Sequence, residues 1–467
     1  MGFVEPATTA IAAPAAIGGT PDSGPFVVPV RRRLGRAFWR LWGATAISAT
    51  GDGLVFVALP LLTLTITRSP LAIAGVTVAY RALAAIAALP AGVVADRLAR
   101  RSVMVLSNVI AGTTMVSLVA ALSVGHADLA MLYIAAAVLA VCDATYTLAM
   151  QASFPDVVPT EQLAAANGRL MAVEGAGESF LGPGVGGVLF ALAQRLPFLA
   201  DGLSFFVSAL LVRTSLPQRS AHGLHCGHDP AGARGSEPGT VERHLDGRRY
   251  QGRHQLQADW SDDFRQGLRL FRREPSLKLL AATAASGTFA QGMVFAILVL
   301  YGRFTLHLTA TGYGVFLALA SLLGLVGAFS AATLQRRFGW SRLIIGGSAL
   351  VGVSYLGLTF TRSAVLAVFV FGLQEFGAAV STVGSVTARQ NIIQRKLYGR
   401  IASIHRLIIT GAAPLGALVA GVIASASSVR LAVFTAGALE TTMVALLAPA
   451  LVRALAGAPR VLGPQPA

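Results

Sequence analysis

Gly92-Val93-Val94-Ala95-Asp96-Arg97-Leu98-Ala99-Arg100-Arg101 is a charged stretch between two long apolar runs. It brings one carboxylate and three guanidinium groups together within ten residues. Charged groups of this density are not stable in lipid hydrocarbon. The stretch therefore predicts a short turn at a membrane surface, with the apolar runs on either side crossing the membrane.

The composition of the whole chain agrees with a membrane protein. Of its 467 residues, 54% are hydrophobic and 12% are charged, and the mean hydropathy is +0.66. A soluble domain carries about 25% charged residues. About half that share, spread over a long chain, indicates a protein that crosses the membrane many times.

The apolar runs indicate an all-α integral membrane protein with twelve transmembrane helices. Crossing a hydrocarbon core of about 30 Å takes about 20 helical residues. Runs of this length occupy about 40–64, 71–94, 103–124, 129–151, 165–193, 197–216, 277–301, 310–334, 342–360, 364–388, 400–424 and 429–453.

The distribution of basic residues predicts the orientation. The formal net charge is +16, which in a soluble protein would suggest a nucleic-acid partner. Here the arginines fall in the gaps between apolar runs, which favours cytoplasmic loops facing anionic lipid and no nucleic-acid partner. An even number of spans puts both termini on the cytoplasmic side. Basic residues in loops on the other side are then limited to Arg68, Arg195, Arg303, Arg362 and Arg430, while Arg81 lies within a span.

The polar segment in the middle divides the chain into two halves. We expect a disordered cytoplasmic tail (1–36), a six-helix bundle (37–216), a cytoplasmic central loop (217–276), a second six-helix bundle (277–455) and a C-terminal tail (456–467). His222, His225, Cys226 and His228 in the central loop could bind a metal, but no second ligand pair supports a site, and we expect none. The apolar residues spaced among polar ones in 262–275 predict a short amphipathic helix at the cytoplasmic surface.

An internal repeat relates the two halves. Asn167-Gly168-Arg169, followed by Pro183, reappears with the same spacing as Tyr398-Gly399-Arg400, followed by Pro414. The charged turn has a degenerate copy, Leu334-Gln335-Arg336-Arg337-Phe338-Gly339, that lacks the acid. Two similar six-helix halves are typical of secondary transporters, and the missing acid suggests that Asp96 does more than connect two helices.

The charged stretch also resembles a known motif. Its pattern is similar to the turn between helices 2 and 3 of the major facilitator superfamily, and the matching residues are Gly92, Ala95, Asp96, Arg97, Arg100 and Arg101. The resemblance implies two six-helix bundles and a turn that controls the conformational switch, with Asp96 facing the start of helix 11. It further implies alternating access to a central substrate cavity.

Helix 5 carries a second motif, Gly182-Pro183-Gly184-Val185-Gly186-Gly187. Small residues let helices approach closely, and proline bends a helix, so one interpretation is simple helix packing. The stretch also resembles the core of the superfamily's antiporter motif, which is associated with export. On both interpretations the residues of interest are Gly182, Pro183, Gly186 and Gly187.

Further local patterns resemble the branch of this superfamily that contains enterobactin exporters and macrolide-efflux permeases. They include Ser48-Ala49-Thr50-Gly51-Asp52 in helix 1, Pro155-Asp156-Val157-Val158-Pro159 before helix 5 and Asp201-Gly202-Leu203-Ser204-Phe205 in helix 6. The resemblance implies proton-coupled export of a drug, siderophore or other amphipathic metabolite across the bacterial inner membrane.

Charged groups at mid-membrane cost about 2.5–3.5 kcal/mol each on insertion scales, so each needs an explanation. Asp52 lies near the centre of helix 1, and Arg81 lies at similar depth on helix 2. One interpretation is a buried ion pair that neutralises itself. The other is that Asp52 takes up a proton and releases Arg81, which would couple protonation to helix movement.

Three further acids join these proton-coupling candidates. Glu174 and Glu178 are four residues apart on helix 5 and project from one face, and Asp143 on helix 4 should lie at a similar depth. Carboxylates this close in a low dielectric disfavour each other's ionised form, which predicts proton binding. A structural role, with each acid hydrogen-bonded to neighbouring groups, is the alternative.

In the second half, Gln291, Glu375 and Glu440 are the polar groups at mid-depth and the candidates for a substrate cavity. Acids in both halves with one buried base favour a cationic or neutral substrate. We expect a monomeric transporter that uses protons and no cofactor, and that is not an enzyme. The first alternative is an uptake or facilitated carrier of the same fold. A less favoured alternative is a membrane receptor or scaffold that does not transport.

Overall fold

The computed structural model describes residues 34–154, 157–159, 162–215, 268–269, 271–393 and 395–457, and the side chains within these ranges except those of 89, 92–97, 164, 394–400 and 457. Nearly all of these residues are helical. We number the helices by membrane span. They are α1 (Arg36–Ile66), α2 (Pro70–Arg97), α3 (Arg100–Ser123), α4 (Leu129–Ser153), α5 (in three pieces, Leu163–Gly175, Ala176–Leu181 and Gly182–Leu192), α6 (Leu196–Ser215), α7 (Pro275–Phe304), α8 and α9 (together Ala310–Phe360), α10 (Ala364–Ile392), α11 (Arg395–Ala426) and α12 (Val429–Gly457).

Twelve spans are present, as the sequence predicts. Ten of the described helices are long and apolar enough to cross a membrane. The count of ten includes Ala310–Phe360 as one helix. Its 51 residues, at about 1.5 Å each, would extend far beyond a core of about 30 Å, so it contains two spans, α8 and α9. The count omits α5, whose pieces are each too short. The prediction of an all-α protein with twelve membrane helices is therefore confirmed.

The two copies of the charged turn are built differently. Between α8 and α9 the helix is interrupted at Gly339, where φ is 77° and ψ is 168°, a backbone conformation that a side chain would strain. Between α2 and α3 only Leu98 and Ala99 lie outside the helices, and Ala99 has an ordinary φ of −62°. The prediction that the stretch 92–101 is a turn was too broad, because α2 continues through Arg97.

Helix α5 contains a π-helical segment, Ala176–Leu181. It lies where α5 packs against α1 with almost no side chain between the two backbones. A methyl group added at Gly177 would lie 2.9 Å from the backbone nitrogen of Thr50. Single turns of π-helix occur mostly inside α-helices and frequently at functional sites.

The helices form two groups, α1–α6 and α7–α12, that meet mainly through α2 with α11 and α5 with α8. We call the end of the bundle that holds the α1–α2 connection at 67–69 and the α7–α8 connection at 305–309 the distal end. Several described contacts between the groups lie toward it. A methyl group at Gly421 of α11 would lie 2.9 Å from Ala74 Cβ of α2, and the Phe56 and Phe295 rings of α1 and α7 are 5.8 Å apart.

The opposite, proximal end carries an aromatic cluster. The Trp39 and Trp42 rings are in edge contact at 5.7 Å, and the Arg169 guanidinium of α5 lies 5.7 Å from the centre of the Trp39 ring. Trp42 Nε1 also donates a hydrogen bond of 3.2 Å to the Arg169 carbonyl. Tryptophan and arginine together are typical of the membrane–water interface, so this cluster marks the depth of α1 in the bilayer.

The described end of the segment 262–275 supports the predicted amphipathic helix. Residues 268–269 and 271–273 are helical. Leu268 and Phe271 pack against an apolar group that includes Leu277 of α7, Ile393 after α10 and Ile401 of α11. Residues 216–267 and 270, which include the histidines of the central loop, lie outside the described residues.

Candidate functional site

Asp52 lies at mid-depth in the membrane. It follows Trp42 by ten helical residues, or about 15 Å at about 1.5 Å per residue. That is half of a hydrocarbon core of about 30 Å. The position therefore requires that Asp52 be neutral, paired with other groups or in contact with water.

The groups around Asp52 are carboxylates. Its side chain is exposed and in electrostatic contact with Asp201 of α6, Asp143 of α4 and Glu178 of α5. Glu178 in turn interacts electrostatically with Glu174, and both interact with Asp143. We call Asp52, Asp143, Glu174, Glu178 and Asp201 the acidic cluster. Four helices of the first half contribute to it.

Asp201 is the one member that is fully buried, with 1% of its surface exposed. Its carboxylate lies against the backbone of α1 at Gly51, next to Asp52, where there is no room for a side chain. Ser204, one turn further along α6, donates a hydrogen bond of 3.3 Å to Asp201 Oδ1. A buried carboxylate beside a second carboxylate, with a single hydroxyl donor, is a strong candidate to hold a proton.

The sequence analysis did not select Asp201 as a candidate. The same rule that selected Asp52 applies to it, because it is an acid within a membrane span. It is the sixth residue of α6, however, so from the sequence alone it lies close to a helix end. Its burial depends on Gly51, a residue 150 positions earlier in the chain.

Asp143 is held by two hydroxyl groups. Tyr80 of α2 donates to Asp143 Oδ2 and Thr147 of α4 donates to Asp143 Oδ1, both at 3.4 Å. These long bonds are weak. The arrangement still joins α2 to α4 at the acidic cluster, so a change in the charge of Asp143 would be felt on both helices.

Arg81, the basic candidate, interacts with Glu178 and not with Asp52. Arg81 and Glu178 are in electrostatic contact, whereas the groups acting on Asp52 are acidic. Arg81 and Asp52 form no ion pair within 4 Å. The expected Asp52–Arg81 pair is therefore not present in this structure. The base faces an acid on the π-helical segment of α5 instead.

The three predicted cavity residues of the second half have different surroundings. Gln291 is half-buried on α7. Glu375 is half-buried on α10. It packs closely against Gly324 of α8, where an added methyl group would lie 3.2 Å from Glu375 Cβ. Glu440 is 0% exposed and packs inside the second half. Contrary to the expectation for a cavity residue, Glu440 does not line an open surface here.

The predicted switch turn is described only in part. Gly92, Asp96 and Arg97 belong to the last turns of α2, and their side chains lie outside the described ones. Arg100 begins α3 and donates a hydrogen bond of 2.7 Å to the carbonyl of Ala152 at the end of α4. Arg101 is half-buried in the first turn of α3. The predicted contact between Asp96 and the start of α11 falls outside the described side chains.

The glycines of the helix 5 motif serve two contacts. Gly182 and Gly186 face α1, where a methyl group at Gly186 would lie 2.9 Å from the Leu54 carbonyl oxygen. Gly187 faces α8 of the other half, where a methyl group would lie 2.6 Å from the Ala310 carbonyl oxygen. Pro183 is buried between these contacts, and its carbonyl approaches Gly314 of α8.

Within the described ranges, no three or more His, Cys, Asp and Glu side chains are grouped so as to hold a metal ion. The acidic cluster is spread over four helices, with hydroxyl groups beside its carboxylates. Its chemistry is that of proton binding or attraction of a cationic group.

A family model described as Major Facilitator Superfamily matches residues 41–389, which is most of the chain and includes the acidic cluster and the helix 5 motif. The chain belongs to the Major Facilitator Superfamily. It is thus a multi-pass membrane transporter that binds small-molecule substrates, a class of protein that is typically not an enzyme. A comparison of the chain with curated protein sequences found no match.

Solved structures of transporters share its fold. A bacterial homolog of the human lysosomal transporter Spinster, inward-facing and occupied, has a TM-score of 0.62 and 17% identity, over 90% of this chain and 95% of that one. A bacterial homologue of the iron transporter ferroportin, inward-facing, has a TM-score of 0.61 and 18% identity, over 91% and 100%. The nucleoside transporter NupG has a TM-score of 0.64 and 11% identity, over 90% and 99%. At these identities the likeness concerns the fold alone.

Proposed function

We propose that this superfamily member is a proton-coupled exporter of a small amphipathic molecule in the bacterial inner membrane. Its termini are cytoplasmic, it works as a monomer, and it belongs to the branch of enterobactin exporters and macrolide-efflux permeases. The substrate is a drug, siderophore or similar metabolite, cationic or neutral. The observation that carries the proposal is the acidic cluster at mid-depth.

The acidic cluster supports proton coupling because carboxylates that interact electrostatically at mid-depth disfavour each other's ionised form. Arg81 is the basic group in electrostatic contact with it, through Glu178. We therefore expect some members to hold protons when no cationic substrate is bound. A positively charged substrate would replace those protons, so substrate and protons compete for the same carboxylates.

The contacts between the halves support alternating access. With cytoplasmic termini, the distal end faces outward, and there α5 meets α8 and α2 meets α11. The protein is then closed to the outside. Rocking the halves apart at this end would expose the acidic cluster to the external medium, from which protons enter.

The energy supplied by protons is adequate for export. One proton that crosses a potential of about 100 mV provides roughly 2.3 kcal/mol. A hundredfold substrate gradient requires roughly 2.7 kcal/mol, at about 1.36 kcal/mol for each factor of ten. One proton with a small pH gradient, or two protons, would drive such a gradient.

The test uses inverted membrane vesicles, in which export appears as uptake. Vesicles that contain the wild-type protein are expected to accumulate the lipophilic cation ethidium or the macrolide erythromycin, and an uncoupler should abolish the accumulation. Asp52→Asn should remain folded and lose proton-driven accumulation, because an amide cannot release a proton. Asp128→Asn is the matched control. Asp128 is an exposed acid that caps α4, and asparagine also caps helices.

The outcomes separate the alternatives. Transport that persists with the uncoupler in the wild type would indicate a facilitated carrier. Accumulation in right-side-out vesicles only would indicate uptake. Full proton-driven transport by correctly inserted Asp52→Asn would remove Asp52 from the coupling mechanism.

A further inference from the structure

The second half encloses polar groups that have no partners. Glu440 of α12 is 0% exposed, and neither of its carboxylate oxygens has a hydrogen-bond partner. The Tyr355 hydroxyl of α9 and both amide atoms of Gln374 of α10 are also buried without a partner. Buried polar groups in folded proteins are nearly always hydrogen-bonded, and each exception calls for an explanation.

Tyr355 relates the two acids of this half, Glu375 and Glu440. Tyr355 interacts electrostatically with both Glu375 and Glu440, although its hydroxyl is hydrogen-bonded to neither. Ser286 of α7 is near Glu440, but its hydroxyl donates its hydrogen to the Thr283 carbonyl at 3.0 Å. No described Lys, Arg or His side chain is in electrostatic contact with Glu375 or Glu440.

The position of Glu440 repeats that of Asp201. Asp201 lies on the last helix of the first half, against Gly51 of the first helix. Glu440 lies on the last helix of the second half, and a methyl group at Gly287 of the first helix there would be 3.4 Å from Glu440 Oε1. The two halves thus place a buried acid against a glycine in the same helix pair, as the internal repeat would produce.

We propose that Glu440 and Glu375, with Tyr355 near both, form a second proton-binding site that exchanges its proton during transport. An ionised carboxylate at Glu440 without partners would be very costly, whereas a protonated carboxyl is a tolerable group there. Glu375 is half-buried and is the member through which the proton enters and leaves. Among the described residues, no further acidic, His or Cys side chain joins these two carboxylates to form a metal site, which suits a proton better than a metal ion.

The inference rests on the proposed function, since a coupling proton has meaning only in a proton-coupled transporter. It adds that protons bind in both halves. A proton held between α7, α9, α10 and α12 would change how those helices pack, as a proton on the acidic cluster would in the first half. The transporter would then carry more than one proton in each cycle.

Infrared spectroscopy of the full-length protein in lipid vesicles tests this directly, without a substrate. The carbonyl stretch of protonated carboxyl groups is recorded in H₂O and D₂O as the pH is raised. The wild type should lose this absorption with rising pH, and the band should shift in D₂O. Glu440→Gln should lack one component of the band. Asp201→Asn should lack a different component, and Glu274→Gln, at the start of α7 outside the span, should lack none.

Several results would overturn the site. One is a Glu440→Gln spectrum identical to that of the wild type, and another is a Glu440 component that never shifts in D₂O, which would mark a sealed proton. If sodium chloride, but not choline chloride, removes the component at constant pH, the site binds sodium instead. Glu375→Gln serves if Glu440→Gln does not fold, and it should remove or displace the Glu440 component. A negative vesicle transport result with a positive infrared result would refute the proposed function alone.

Discussion

Replacing Gly187 by alanine should open the transporter at its distal end. The added methyl group would lie 2.6 Å from the Ala310 carbonyl oxygen and 3.0 Å from Gly314 Cα, both on the other half. Carbon–oxygen contacts normally begin at about 3.3 Å, so α5 and α8 would have to separate by about 0.7 Å. Overpacking of this kind costs about 1–3 kcal/mol, and the conformation with the halves apart at this end does not incur that cost.

That free energy corresponds to a shift of about 5- to 150-fold toward the distal-open conformation. Electron paramagnetic resonance distances would measure it, with spin labels at Ser69 in the α1–α2 connection and Ser427 in the α11–α12 connection. The background would have Cys142 and Cys226 replaced by serine. Gly187→Ala should increase the population with the longer label distance.

Gly184→Ala provides the matched control. Gly184 lies one turn away on the same helix, and a methyl group there would meet Ala318 Cβ at 3.5 Å, an ordinary contact. This variant should give the wild-type distance distribution. If Gly187→Ala also gives that distribution, the tight contact does not determine the conformational equilibrium, and the reasoning is wrong.

Two further predictions concern α1 and the charged turn. Gly51→Ala should destabilise the first half by about 1–3 kcal/mol, because its methyl group would displace Asp201 and Ser204. Thermal unfolding of purified protein would show this against Gly43→Ala, whose methyl group would be 3.9 Å from Leu211, and equal midpoints would contradict it. Asp96→Ala should slow transport while leaving ethidium binding nearly unchanged, and an unaltered turnover would show that the turn is a simple connection.

The sequence predicted the number of spans, their approximate bounds and the division into halves. These features follow from runs of apolar residues, which report directly on a membrane environment. The broken geometry of α5 could not be predicted in this way. The residues of its π-helical segment 176–181 are ordinary in composition, and the segment lies where α5 packs backbone to backbone against α1.

The candidate site was predicted in outline only. Asp52, Asp143, Glu174 and Glu178 were selected because each is an acid at mid-span, and the structure brings them together. Their partners depend on helix packing, which the sequence does not reveal. Arg81 therefore faces Glu178 instead of Asp52, and Glu440 is enclosed instead of lining a cavity.

The aromatic cluster at the proximal end has a consequence for lipid dependence. Trp39, Trp42 and Arg169 join α1 to α5 at the level of the lipid headgroups. The depth of Asp52 is then set by its distance from that surface, about 15 Å along α1. A bilayer thinner than about 30 Å brings the opposite surface closer to Asp52 and leaves the Trp-anchored side unchanged. The thickness of the host membrane would therefore affect how readily water on the distal side reaches Asp52.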